Sequence, residues 1–180
     1  VYADREHFAN LLWLTGFDPR FEEALLIVRT DGATPLLLTG LECASYLPVS
    51  PLWNAGGLRH AILDEFSLPD IPATGSRALA AVFHAEQLVP NALAGCAGWK
   101  HYAAHGELAC DAPAYIVDTL RACCGESNVV NATALFIDPA QGLRTFATAR
   151  EIAWFEHANY LASEGMKRIL LGIREGATDF

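Results

Sequence analysis

Apolar residues along the chain fall into short runs and into stripes with helical spacing. Short apolar runs bounded by turn residues predict strands, and they lie at 23–29, 34–39, 59–66, 91–99 and 128–136. Asp31-Gly32 between the first two runs predicts an antiparallel hairpin. Because proline cannot donate a ladder hydrogen bond, we expect the second strand to begin at Pro35 or to lie at a sheet edge.

Start and stop signals place helices between these runs, at 39–48, 76–88 and 111–125. Thr39 and Glu42 have the spacing of a capping box, and Ser76 is expected to cap the second helix. Residues 47–57 and 68–75 are rich in proline and glycine and are predicted to be loops. Strands that alternate with helices favour an α/β domain with a mixed sheet flanked by helices.

The last predicted helix has the clearest pattern. Thr148-x-x-Glu151 is a capping box, and an apolar stripe follows at three- and four-residue steps: Ile152, Phe155, Ala158, Ala162, Met166, Ile169 and Ile173. The stripe spans more than five turns, about 30 Å at 1.5 Å per residue. We expect residues beyond Gly165 to keep part of this face without a partner on their own domain, and the chain to self-associate through it.

Composition narrows the function classes. Of 180 residues, 52% are hydrophobic and 18% charged, which supplies a large core, and the net charge is −9. An acidic chain without a basic cluster argues against nucleic acid and anionic membranes as partners. Neither a membrane-spanning run nor an N-terminal signal sequence is evident, so we expect a cytoplasmic protein.

Five cysteines are present in an arrangement without C-x-x-C: Cys43, Cys96, Cys110, Cys123 and Cys124. An odd number without metal-ligand spacing predicts buried, reduced thiols rather than a disulfide framework or zinc site.

Two groups of residues are candidates for a reactive site, one for metal binding and one for acid–base chemistry. His101 and His105 are four residues apart, but no Glu adjoins them, Gly106 follows and no third ligand is indicated, so a solvated helix end is favoured over a metal site. The acidic residues near the start could do acid–base chemistry if buried, but interleaved Arg5 and Arg20 favour salt-bridged surface: Asp4, Glu6, Asp18, Glu22 and Glu23.

Other catalytic patterns are weak. The glycine-rich stretch 95–99 lacks the phosphate-loop pattern, and Trp53, on a predicted loop, is expected to anchor packing rather than contact a ligand. The sequence indicates no catalytic residues and no metal ligands within this chain.

Two motifs near the ends of the chain point to one family. Residues 13–17 read Trp-Leu-Thr-Gly-Phe, and residues 172–179 read Gly-Ile-Arg-Glu-Gly-Ala-Thr-Asp. The first is similar to the aromatic-Leu-Thr-Gly-Phe core, and the second to the phrase Gly-Ile-Arg-Pro-Gly-Met-Thr-Glu, of the creatinase/prolidase/aminopeptidase P family, the "pita-bread" metallopeptidases, whose N-terminal domain this chain resembles. Glu175, Ala177 and Asp179 replace Pro, Met and Glu of that phrase. Thr148 and Ala149 stand where a Lys-Ser pair is common.

The resemblance implies a ribonuclease-H-like N-terminal domain at 1–147. Residues 148–180 would then be a connector helix and the start of a catalytic domain lying beyond this chain. That catalytic domain would hold two divalent metal ions (Mn, Co or Zn) on two Asp, one His and two Glu, and would cleave Xaa-Pro bonds. The chain itself would be non-catalytic, packing on its own catalytic domain and forming a homodimer that limits substrate access.

Residue roles carried by the resemblance are few. Arg20, Trp53 and Arg59 are candidates for substrate access or an interface, and Met166, Ile169 and Ile173 for the connector-helix interface. Two alternatives remain open: the same domain of a creatinase-type amidinohydrolase, and a non-enzymatic protein-interaction module of this architecture.

Overall fold

The computed structural model describes residues 1–102, 104–176 and 178. The chain forms two compact units, Val1–Arg144 and Thr145–Phe180; the sequence had suggested a boundary between 147 and 148. Ala103 of the histidine pattern, and Ala177, Asp179 and Phe180 of the terminal motif, lie outside the described residues. The first unit is a mixed α/β structure, as predicted.

Four strands form the larger sheet, in the order β1-β2-β3-β4: Tyr2–Ala3, Ala24–Ile27, Leu36–Thr39 and Arg59–Ile62. β2 and β3 pair antiparallel, with Ala24 opposite Thr39 and Ile27 opposite Leu36, which confirms the predicted hairpin. β3 begins directly after Pro35, where no ladder donor is needed. β4 pairs parallel with β3, so β3 is an interior strand.

The smaller sheet pairs two parallel strands, β5 (Ala94–Cys96) and β6 (Val129–Asn131). The predicted strands at 91–99 and 128–136 were therefore correct in type but too long. A backbone hydrogen bond of 2.9 Å from Tyr2 N–H to Ala97 O joins β1 to the end of β5. This bond places the two sheets side by side.

Seven α-helices complete the described chain: α1 Ala9–Thr15, α2 Leu41–Ala44, α3 Pro51–Asn54, α4 Leu79–Ala85, α5 Ala114–Cys124, α6 Ala134–Ile137 and α7 Ala149–Gly172. Short 3₁₀ turns occur at Leu47–Val49, Asp64–Phe66 and Glu126–Asn128. α5 ends at Gly125, as its sequence predicted.

Side chains from the two faces of the sheet form two separate cores. One core, which we call the α4/α5 core, joins Leu25, Ile27 and Leu38 to side chains of α4, α5, β5 and β6. The other, the α1–α3 core, joins Leu26 and Leu37 to Leu11, Phe17 and Cys43. Successive strand residues point to opposite faces, so an all-apolar strand such as β2 supplies both cores.

The predicted Thr39 cap is wrong, because Thr39 is the last residue of β3 and its hydroxyl donates to Gly40 O. The carboxylate of Glu22 caps α2 instead. It accepts from the backbone N–H groups of Glu42 (3.1 Å) and Cys43 (2.8 Å), and Glu22 is only 5% exposed. The expectation that Glu22 belongs to a salt-bridged surface is therefore also wrong.

Two further local predictions fail because tertiary contacts use the residues differently. Residues 47–57 are not a plain loop: they hold a 3₁₀ turn and α3, which Ser50 caps by accepting from Trp53 N–H. Ser76 does not cap α4, since its hydroxyl accepts from Asp64 N–H. α4 begins at Leu79 after Ala78 and ends at Ala85, three residues before the predicted end.

α7 has the predicted capping box, with Thr148 and Glu151 each bonded to the other's backbone N–H. Its 24 residues correspond to about 36 Å at 1.5 Å per residue. Ile173 lies just past the helix, where its N–H donates to Ile169 O. Within Ala149–Gly172, all of which the structure describes, no residue is buried.

All five cysteines are free thiols, and Cys123 and Cys124 are buried on α5, as predicted. A search of the described helices for one long and apolar enough to cross a membrane found none.

Candidate functional site

An acidic cleft of about 340 Å³ opens beside the end of β1 and the start of β2. We call it the acidic cleft, and its lining is Asp4, Arg5, Glu6, His7, Phe21, Glu22, Glu23, Glu65, Phe66, Ser67, Leu68 and Pro69. Five carboxylates against one arginine and one histidine make its electrostatic potential negative.

Glu23 joins three elements at this cleft through its carboxylate. Tyr2 on β1 donates its hydroxyl to Oε1 (2.8 Å), and Tyr115 on α5 donates to Oε2 (2.7 Å). Burial, and then the hydrogen bond to Glu23, raise the pKa of both tyrosines. Both phenols therefore stay protonated donors at neutral pH.

Asp4 extends this network toward the next turn. Its carboxylate accepts from the backbone N–H groups of Glu6 (2.8 Å) and His7 (2.7 Å) and contacts His7 Nδ1 at 2.9 Å. Burial raises the pKa of Asp4, but the hydrogen bonds from His7 and the backbone outweigh it, and the pKa is lowered. The His7 ring stacks on Trp99, with ring centroids 4.9 Å apart.

Tyr2 connects Glu23 to Asp4. Its hydroxyl also lies 3.2 Å from Asp4 Oδ2, but a phenol has one hydrogen and donates to one carboxylate at a time. The shorter contact assigns that hydrogen to Glu23, which leaves the phenol oxygen facing Asp4 as a second electron-rich atom. A cationic group entering the cleft would meet the carboxylates of Asp4 and Glu23, whose positions are already fixed by hydrogen bonds.

Among the described residues, no group of three or more His, Cys, Asp or Glu side chains is arranged to hold a metal ion. Three of the cleft carboxylates, those of Asp4, Glu22 and Glu23, accept hydrogen bonds from tyrosine or backbone donors.

The predicted access residues are not brought together by the fold. Arg20 is exposed and pairs with Asp18 at 3.5 Å. Trp53 lies on α3 rather than a loop and packs against the α1–α3 core, as the expected anchor, with its ring edge-on to His60 at 6.3 Å.

Arg59 on β4 points to the other face of the sheet. Its guanidinium makes a bidentate pair with Glu86, at 2.9 and 2.7 Å, directly after α4. The charge of Arg59 is thus used within the domain, and only part of its surface remains open to a partner.

The connector-helix residues Met166, Ile169 and Ile173 are all exposed. They belong to a larger set of exposed apolar side chains on the second unit, which also contains Ile152, Trp154, Phe155, Tyr160, Leu161, Leu170 and Leu171. Large apolar side chains are thus exposed along the whole length of α7.

His101 and His105 are exposed, but the expected helix end is wrong, since neither residue lies in a helix. The ring of His105 packs edge-on against Tyr102, with centroids 5.8 Å apart. The two imidazoles therefore lack the shared helical face that their spacing had suggested.

Sequence analysis missed Tyr2, Tyr115 and His7. Tyr115 reaches Glu23 across 92 positions of sequence, and no local pattern signals such a contact. The only available hint was the acidic region itself, which attracts donors.

Comparison of the chain with protein-family models, with curated proteins and with solved structures gave no match.

Proposed function

We propose that this chain is the non-catalytic N-terminal domain of a larger Xaa-Pro peptidase-like metallopeptidase, contributing dimerisation and substrate access to the active site. The observation that carries this function is α7, a capped helix of 24 residues whose large apolar side chains are all exposed. A surface of that kind has a partner in the working protein. Residues 172–179, which begin at the last residue of α7, resemble the entry to the family's catalytic domain.

The family motif near the start has a structural role that supports the resemblance. Gly16 ends α1 with φ +71°, and a Cβ there would overlap the ring of Pro51. The Thr15 hydroxyl donates to Leu11 O and accepts from Phe17 N–H, and Phe17 is buried. Thr15-Gly16-Phe17 therefore forms a tight turn that leads the chain from α1 towards β2. The motif has a structural role and needs no catalytic one.

Arg144, which lies four residues before the Thr148 cap of α7, is also hydrogen-bonded within the first unit. It donates to Asn10 Oδ1 (2.7 Å), and Asn10 Nδ2 donates to Gly98 O (2.6 Å). Asn10 is 2% exposed, so its amide connects the end of the first unit to α1 and to Gly98, two residues after β5.

We extend the proposal to a ribonuclease-H-like sheet. Joining the two sheets through the Tyr2–Ala97 bond gives the strand order β4-β3-β2-β1-β5-β6, in which the hairpin strands lie on one side of β1 and the later strands on the other. Helices on both faces, with a core on each, are compatible with that arrangement.

The acidic cleft suits a role in substrate access. Peptide substrates of an Xaa-Pro peptidase carry a free ammonium group, and a cleft lined by Asp4, Glu23 and Glu65 attracts cations over about a Debye length, roughly 8–10 Å. In this proposal the two divalent metals and the catalytic step belong to the catalytic domain, not to this chain.

The decisive test is to read the coding sequence past the codon for Phe180. Two Asp, one His and two Glu at catalytic positions are expected. Their absence from a continuing reading frame would overturn the peptidase assignment and leave an interaction module.

The interface can be tested separately by sedimentation equilibrium of this chain. Ile169→Asp is expected to raise the dimer dissociation constant at least about tenfold, because burying one such side chain is worth roughly 1.5–3 kcal/mol. Ser163→Asp is the matched control, since it adds the same charge elsewhere on the exposed helix, and should leave association unchanged. Three monomeric proteins at high concentration would show that α7 is not a dimer surface.

A further inference from the structure

The exposed surface of α7 carries a heptad pattern. Seven residues follow one another at alternating steps of three and four, and all but Asn159 are apolar: Ile152, Phe155, Asn159, Ala162, Met166, Ile169 and Ile173. We call these seven residues the α7 seam. Alternating steps of three and four give the 3.5-residue period of a coiled coil, in which such a seam faces a second helix along its whole length. All seven residues are exposed.

Acidic residues flank the start of the α7 seam, one on each side. With Ile152 at an a position of the heptad, Glu151 occupies a g position and Glu156 an e position. Side chains at e and g positions reach across to the other helix of a coiled coil, and their charges set its orientation. The charges near the other end of α7 therefore decide which orientation fits.

Basic residues lie near the end of α7, again one on each side of the seam. Since an α-helix has 3.6 residues per turn, Lys167 lies on the same side as Glu156, and Arg168 on the same side as Glu151. Glu156 and Lys167 are roughly 16 Å apart along the helix at 1.5 Å per residue, so within one chain they cannot meet. Lys167 instead lies 3.7 Å from Glu164 of its own helix, in an exposed pair.

These charges oppose a parallel pair of α7 helices. In a parallel coiled coil each g residue lies beside the e residue five positions further along the other helix. Glu151 would therefore lie beside Glu156 of the second copy, twice by symmetry. Such a juxtaposition of like charges disfavours the arrangement.

We propose that α7 pairs antiparallel with α7 of a second copy of this chain, with the two-fold axis crossing the seam near Ala162. In this arrangement each side of one helix meets the same side of the other, so the interface is isologous. Glu156 then lies beside Lys167 of the second copy, and Glu151 beside Arg168. Each flanking carboxylate thus has a basic neighbour on the opposite helix.

The register that brings these charges together also matches the seam. It packs Phe155 on Met166 of the second copy, and Ile152 on Ile169, so that large side chains meet on both sides of the axis. Near the axis, a Cβ at Gly165 would meet nothing within 4 Å. The second helix can therefore approach closely at the middle of α7.

The inference rests on the dimerisation in the proposed function and gives it a partner and a geometry. The two can fail separately. The coding sequence past Phe180 decides the peptidase assignment and has no bearing on how α7 pairs.

The first test couples carboxylates to amines in the full chain with a water-soluble carbodiimide, which links only groups in direct contact. The chain has two lysines, Lys100 and Lys167, so few products are possible. We expect a covalent dimer whose peptide map contains a Glu156–Lys167 link, which only two copies can form. Lys167→Arg is the matched control: it keeps the charge and should still dimerise in sedimentation equilibrium, but it should lose the link.

Glu156→Gln tests the orientation without cross-linking. It should raise the dimer dissociation constant about two- to tenfold, because two exposed ion pairs are lost from each dimer. In a parallel pair the same substitution would remove the repulsion from Glu151 and lower the dissociation constant. Glu164→Gln is the matched control, since Glu164 lies on the side of α7 away from the seam, and it should change the constant less than about twofold.

The outcomes separate the possible occupants of the α7 seam. A chain that stays monomeric at high concentration would refute self-pairing and leave the seam to the catalytic domain. A dimer without the Glu156–Lys167 link, or one that Glu156→Gln tightens, would refute the antiparallel pairing while leaving dimerisation in place.

Discussion

Glu22 offers the most direct test of how this fold is stabilised. Its buried carboxylate caps the N-terminus of α2, a helix that has no capping side chain of its own. The carboxylate accepts from the backbone N–H groups of Glu42 and Cys43. Gly40 lies so close that a Cβ there would overlap the carboxylate. Glu22 and Gly40 should therefore behave as a unit when they are substituted.

The cost of Glu22→Ala follows from what it leaves behind. Two N–H donors lose a charged acceptor, and the Cys43 donor is buried. A hydrogen bond to a charged group is worth about 1.5–3 kcal/mol, and an unsatisfied buried donor costs about 1–3 kcal/mol. Since water can reach the partly buried Glu42 donor, we expect a loss of about 2–4 kcal/mol. Glu22→Gln retains one acceptor oxygen and should lose about half as much.

Gly40→Ala should be costly only while Glu22 is present. Gly40 has φ −69° and ψ 176°, a conformation that alanine adopts without strain. The added methyl group must therefore act by displacing the carboxylate, which costs about 1.5–3 kcal/mol as overpacking and lost hydrogen bonds. In the Glu22→Ala background the space is free, and we expect a change below about 1 kcal/mol.

The assay is equilibrium unfolding in urea of the four proteins of this cycle, with the midpoint and slope compared. Coupling of at least about 1 kcal/mol is expected, with unchanged slopes. If Gly40→Ala cost the same in both backgrounds, the carboxylate would not be what Gly40 accommodates, and the account of α2 would be wrong.

Three further substitutions test other contacts. Arg59→Met should destabilise the protein most at neutral pH, because Arg59 lowers the pKa of Glu86 below its ordinary 4.5. The stability that this pair contributes is present above about pH 4.5 and is lost as the pH falls through the folded pKa. A difference in urea midpoint that did not change with pH would contradict this. Gly98→Ala should cost about 1–3 kcal/mol or more by overpacking, because its Cβ would overlap Asp111 O. Thermal melting measures this cost. An unchanged midpoint would show that the backbone at Asp111 can move away from residue 98 at little cost. Thr148→Ala should destabilise the start of α7 by about 1 kcal/mol. Amide hydrogen exchange should then be faster in the first turn of α7 and unchanged in the sheet. Unchanged exchange in the first turn of α7 would mean that the capping box does not stabilise the helix.

Local patterns predicted the elements that depend on neighbouring residues. The hairpin at 24–39, the α5 end at Gly125 and the capping box of α7 each rest on residues within a few positions of one another. Apolar runs marked the strands, because the core faces of a sheet require them. Strand and helix ends were less accurate, since the next element decides where pairing stops.

Competition between local and distant partners explains the failures. Thr39 and Ser76 each matched a capping pattern. Thr39 instead lies at the end of β3, and the Ser76 hydroxyl accepts a hydrogen bond from Asp64 N–H. A side chain with one hydroxyl hydrogen makes few bonds, so the partner that the tertiary fold places nearest decides its role. Glu22 likewise became a cap because the hairpin brings residues 21 positions apart into contact.

By itself the sequence determined the α/β class, the hairpin, the long capped helix and the free thiols, because periodicity, capping and composition are written in nearby residues. The tertiary structure alone decided which polar side chains form hydrogen bonds with each other. Tyr115 meets Glu23 across 92 positions, and Arg144 meets Asn10 across 134. Such contacts form only when packing of two cores on one sheet has already fixed the elements, so the acidic cleft could not be predicted from spacing.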